Sequence, residues 1–188
     1  RNNTDSLRDE EGFMYYESDG FEKNCNLSEV ENEIRAQIER FKSFGVEPSH
    51  LDNHMGSLYG IESGRFEVLN LTLDMAGEYG LPFRFPGTFV PEMFENDTLD
   101  VKIDQQLIAM VFDKVLQYAK AKGVAMPDYL IPGEWNGPQN DSYENFKEYI
   151  YELYRSFPNG ITETYIHPAF ESEELKGISG AWHRIVWE

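Results

Sequence analysis

Four stretches of the chain place apolar residues at helical spacing, and short apolar runs bounded by Gly and Pro stand between them. In SEVENEIRAQIERFKSFG, Val30, Ile34, Ile38 and Phe41 recur at steps of three and four, which gives a helix one apolar face. Ser28 and Glu31 have the form of a capping box, and Gly45 closes the helix. RFEVLNLTLDMAGEYG predicts a second helix ending at Gly80, and DQQLIAMVFDKVLQYAKAKG a third ending at Gly123. SYENFKEYIYELYRSF predicts a fourth, capped by Asp141 or Ser142. SHLD, LPFRFP, PDYLIP and GITETYIHP read as extended segments that follow these helices in turn.

Helices that alternate with short strands are the sequence form of repeated αβ units and a mostly parallel sheet. The fold class is therefore α/β, and the pattern fits either an open layer or an arc of a barrel. Residues 1–27 are polar and lack a period. Within them EEGFMYYESDGF reads as a short extended piece, with Gly12 and Gly20 as punctuation. A long irregular connection is expected from 86 to about 104, where Pro86 and Pro91 occur. There is no low-complexity segment and no short repeat.

The 188 residues suit one domain or a large part of one. Ample aromatic residues supply a core and argue against disorder. The net charge of −18 repels phosphate backbones and anionic lipid, so nucleic acid and membranes are not expected partners. No apolar run approaches the ~20 residues that span a bilayer. The single cysteine, Cys25, excludes an internal disulfide and fits a reducing compartment, so a cytoplasmic location is the expectation. The chain starts at Arg1 and not at Met, and a processed or cut end is the expectation, with the true N-terminus not represented. The sequons, one of them at Asn70 inside a predicted helix, are not read as a sign of secretion.

Chemistry gathers at the ends of the extended segments, where parallel α/β folds place their working groups. His50, Asp52 and His54 run off the end of SHLD, two apart, so a strand would turn all three to one face. Arg84 lies near the end of LPFRFP, and His167 ends TETYIHP. These strand ends would present imidazole, carboxylate and guanidinium to one rim. Imidazole with carboxylate suits zinc or another divalent ion. The same spacing also suits side chains that merely hydrogen-bond a turn. His183, in AWHRIVW, reads as an ordinary surface or core histidine. Trp135, in IPGEWNGP, fits a sugar-stacking ring and a loop anchor equally well. Cys25 has no histidine near it in sequence and does not read as a nucleophile.

EVENEIRAQIERFKSFGVEPSHLDNHMG resembles the central signature of the YdjC-like carbohydrate deacetylases, which include the chitooligosaccharide deacetylases. Ser49-His50-Leu51-Asp52-Asn53-His54 stands where that family has Thr-His-Leu-Asp-Ser-His. GLPFRFP, with Arg84, and TETYIHPAFESEELKGI, with His167 and Pro168, resemble later segments of the same family. The similarity runs from about residue 5 to 188.

The resemblance implies an irregular (β/α) barrel of the polysaccharide-deacetylase type. It implies hydrolysis of N-acetyl groups from amino sugars or chitooligosaccharides, assisted by a divalent metal, magnesium or zinc. His54 would be a metal ligand and His167 the acid that protonates the leaving amine. His50, Asp52 and Arg84 would bind substrate or orient the ligand. The family's Ala-Asp-Asp-Phe-Gly and Gly-x-His-Leu segments, which carry the first acid and two further metal ligands, have no counterpart in this sequence. The expectation is a single partial domain, an internal piece that lacks the family's first strands and its last element. On that expectation the chain alone is inactive, its partner in the parent enzyme is a small acetylated sugar, and a homo-oligomer is compatible. The alternative is a non-catalytic carbohydrate-binding or scaffold piece.

Overall fold

A computed structural model describes residues 4–88 and 105–188, with the side chains of 105–108 excepted. The irregular connection expected from 86 to about 104 lies almost wholly outside the described residues. The chain divides into two compact units, Arg1–Met126 and Pro127–Glu188.

The first unit holds helices α1 (Ser18–Asn24), α2 (Leu27–Ser43), α3 (Glu67–Tyr79) and α4 (Gln105–Ala121). Helix α1 corrects the expectation of an extended piece. Gly12 does turn the chain, on hydrogen bonds from the Glu11 and Phe13 amides to Asp9 Oδ1. Gly20, however, sits inside α1, where a Cβ would lie 3.0 Å from the Tyr15 ring. Its smallness serves close packing and does not break the chain. The cap of α2 is also corrected. Asn26 caps it, accepting from the Ser28 amide at 2.9 Å, while Glu31 turns outward to Arg35. Arg35 then grips both oxygens of Glu78 on α3, at 2.5 and 2.6 Å.

Helix α3 is the centre of this unit. Its apolar residues Leu69, Leu73 and Ala76 meet Phe112, Val115 and Ala119 of α4 together with Phe83 and Phe85. Its Val68 meets Val30 of α2 and Phe21 of α1. Gly80 ends α3 in the left-handed conformation, φ 66°, as the sequence predicts.

SHLD and LPFRFP pair in parallel, but through a single residue each, Leu51 with Phe83. The Leu51 amide donates to the Pro82 carbonyl at 2.8 Å, and the Arg84 amide donates to the Leu51 carbonyl at 3.0 Å. The Phe83 amide donates to the Ala125 carbonyl at 3.0 Å. Phe83 is buried and makes an edge contact with Tyr59 at 6.0 Å. The strand reading of SHLD thus contracts to its centre.

In the second unit, strands β1 (Tyr129–Leu130) and β2 (Thr162–Glu163) pair in parallel. Helix α5 (Tyr143–Arg155) connects them, the right sequence of elements for a βαβ unit. Of the two cap candidates, Ser142 caps α5, accepting from the Asn145 amide at 3.2 Å. Two short helices close the chain, α6 (Glu173–Ile178) and α7 (Trp182–Trp187). Phe146 of α5 packs on Trp187 of α7, centroids 6.1 Å apart. The architecture is helix-rich α/β with parallel strand pairing. No closed barrel is formed by the described residues.

Candidate functional site

The parallel contact of Leu51 and Phe83 fixes the residues that follow each of them. Asp52 and Arg84 come off adjacent segment ends and form an ion pair, Nη1 to Oδ2 at 2.8 Å. The Arg84 carbonyl accepts from the Tyr59 hydroxyl at 2.7 Å, which anchors the guanidinium's own backbone. Gly60 makes that placement of Tyr59 workable. Its φ is 65°, and a Cβ there would strike the Arg65 carbonyl. Tyr59 and Gly60 carry no motif, and only the folded chain reveals their part.

His54 opens a 3-10 turn, His54–Gly56. The next residue, Met55, adopts a left-handed conformation with φ 56°, an uncommon one for a side chain of that size. Its carbonyl accepts from the Ser18 hydroxyl at 2.7 Å. Ser18 is 3% exposed at the start of α1, so the helix missed in the sequence holds the turn that carries His54.

A cleft of about 250 Å³ is lined by Asp52, Asn53 and His54 on one side and by Tyr15, Ser18 and Ile34 on another. The Asn53 Nδ2 is buried without a hydrogen-bond partner in the structure. His50 lines a neighbouring hollow of about 350 Å³ with Phe41, Val46 and Asp52. Asp52 therefore borders both hollows, while His50 and His54 do not share one. The His50 Nδ1 lies 2.8 Å from the Ser49 hydroxyl.

In the second unit, His167 follows β2 and is exposed. Its amide donates to Glu188 Oε2 at 2.5 Å. The other oxygen of Glu188 accepts from Arg184 Nε at 2.9 Å, and the two side chains are 1% and 5% exposed. Arg184 also donates to the Glu134 carbonyl and lies over the Trp135 ring, 4.6 Å from its centroid. The His167 ring meets Trp135 edge-on at 5.6 Å and Tyr165 at 5.8 Å. The Glu134 amide donates to the Tyr149 hydroxyl at 2.6 Å, and burial pushes that phenol above its ordinary value. His183 is exposed and stacks on Trp182 at 3.4 Å.

Among the described residues, no three His, Cys, Asp or Glu side chains converge as a metal site. The Asp52 carboxylate is engaged by Arg84, and His54 belongs to no group of three such side chains among the described residues. The described residues by themselves therefore do not fit a divalent metal. The Cys25 thiol is buried, and burial raises its pKa, so it is no nucleophile.

Comparison with known proteins gives this geometry a setting. A curated carbohydrate deacetylase from Clostridium beijerinckii (strain ATCC 51743 / NCIMB 8052) is 33% identical over 95 residues, which are 50% of this chain and 36% of the relative. A crystal structure from Enterococcus faecalis V583, of a protein named as a candidate for cellobiose-phosphate cleavage, is 25% identical with a TM-score of 0.58. That likeness covers 97% of this chain and 61% of the other, so the chain spans less than two thirds of each of these relatives. No helix among the described residues is long and apolar enough to cross a membrane. A family model described as YdjC-like protein matches residues 1–186, and the chain belongs to the YdjC-like family.

Proposed function

We propose that the protein of which these residues are part hydrolyses N-acetyl groups from amino sugars or short chitooligosaccharides. The carbohydrate deacetylase relative supports the reaction class. The observation that carries the reading is the Arg84–Asp52 pair beside His54, set by the parallel contact of Leu51 and Phe83. Such a pair holds a carboxylate in one orientation, because the guanidinium fork is planar and fixed.

His167 serves as the acid for the leaving amine, a proton transfer that suits an imidazole near neutral pH. Its backbone is pinned by a buried carboxylate, which keeps the ring at one place on the segment. Asp52 and Arg84 orient substrate or His54, and His50 binds substrate from the neighbouring hollow that it lines with Asp52. His54 contributes to a divalent-metal site, magnesium or zinc, whose other ligands lie outside the described residues. Because one or two imidazoles do not make a closed or catalytic site, we expect the 188 residues alone to bind metal weakly and to turn over no substrate. We read both units as parts of one domain whose strands belong to an irregular (β/α) barrel. The family match across both of them supports this.

The test is incubation of the full-length protein with N,N′-diacetylchitobiose. Acetate and free amine should appear in equal amounts. Binding of the sugar without acetate release would instead favour a carbohydrate-binding or scaffold role.

A further inference from the structure

We infer that Trp135 is a stacking platform for a pyranose ring, presented beside His167 by a polar framework that leaves the indole at the surface. The inference rests on the carbohydrate reading above and adds a binding residue to it.

A tryptophan in a loop of Gly and Pro has two ordinary uses. It can turn inward and anchor the loop, or face outward and bind. Here other side chains do the anchoring. The buried Gln139 donates through Nε2 to the Glu134 and Asn136 carbonyls, at 3.1 and 3.0 Å. Asn140 Nδ2 donates to the Trp135 carbonyl at 2.7 Å. The Tyr149 hydroxyl accepts from the Glu134 amide, and Arg184 donates to the Glu134 carbonyl. Gln139, Asn140 and Tyr149 thus hold the backbone on both sides of Trp135, Arg184 packs on one side of the indole, and the residue stays 36% exposed.

The buried Arg184–Glu188 pair then couples this loop to His167. Arg184 lies over the indole, and Glu188 holds the His167 amide. The indole and imidazole rings sit 5.6 Å apart with an angle of 89° between their planes. Exposed Glu134 and Asn136 stand on either side of Trp135 in the chain. A partly exposed aromatic ring in a polar loop matches a sugar, whose C–H face is apolar and whose edge is hydroxylated. Preorganisation also reduces the ordering cost of binding.

The experiment titrates the full-length protein with N,N′-diacetylchitobiose and follows tryptophan fluorescence and calorimetric affinity. Wild type should bind with a fluorescence change. Trp135→Ala, which keeps Trp182 and Trp187, should lose that change and bind about tenfold more weakly, equivalent to about 1.4 kcal/mol. Trp135→Phe, which keeps a ring, should retain most of the affinity. Unchanged affinity in Trp135→Ala, or no binding by wild type, overturns the inference. Acetate release by a wild type whose KM is untouched in Trp135→Ala overturns it while leaving the deacetylase reading intact. Trp135-dependent binding without acetate release does the reverse.

Discussion

Arg84 and Asp52 meet at 2.8 Å because the residues just before them, Phe83 and Leu51, are the paired positions of two parallel segments. Their side chains are 19% and 37% exposed, so the pair adds little to stability, about 1 kcal/mol at most. Its value lies in orientation. Asp52→Asn should leave thermal unfolding within a few degrees of wild type and lower deacetylation by about 10- to 100-fold, the range for groups that orient others. Unfolding curves beside initial rates separate the two effects. A rate equal to wild type would remove Asp52 from the site.

Ser18→Ala should loosen the turn that carries His54. The Ser18 hydroxyl is the donor given to the Met55 carbonyl, and it is nearly buried. Losing a hydrogen bond of this kind costs about 0.5–1.5 kcal/mol. The expected outcome is a lowered denaturant midpoint together with a loss of activity, whereas Ser18→Thr, which keeps the hydroxyl, should restore both. Full activity in Ser18→Ala would show that α1 does not support the site.

Much of this arrangement was legible in the chain. Helices α2 to α5 announce themselves by period and by Gly80 and Gly123, because an amphipathic stripe of that length has few other uses. Asp52, His54 and Arg84 stand out because strand ends in such folds carry chemistry. Helix α1 was not legible. Its seven residues are too few to show a period, and Gly20, a poor helix former, sits inside it. Tyr59 and Ser18 act through a hydroxyl to a distant carbonyl, a relation that no local pattern records. Arg184 and Glu188 form a helical i, i+4 pair, but only burial turns that pair into the support of His167.

Glu62 should weaken the fold as pH rises. Burial, and then the neighbouring Glu22 carboxylate, hold its pKa above the ordinary value, against a smaller opposing pull from a hydrogen bond with the Asp19 backbone. Below about pH 4, near the unfolded value, both states are protonated and the group is neutral in its effect. As pH climbs through the raised folded value, the unfolded chain ionises more readily and stability is lost. Glu62→Gln removes this loss. The variant should melt higher than wild type at neutral pH, with the gap closing toward about pH 4. A constant gap across that range would contradict the assignment.

The central claim is that His54 and His167 do different work in one amide hydrolysis. The direct measurement is acetate release from N,N′-diacetylchitobiose beside bound metal content, in full-length wild type, His54→Ala and His167→Ala. His167→Ala should keep its metal and lose about 10²- to 10⁴-fold in rate, as expected for a missing general acid. His54→Ala should lose both metal and turnover. Metal lost from His167→Ala, or metal and activity both kept in His54→Ala, would contradict the account.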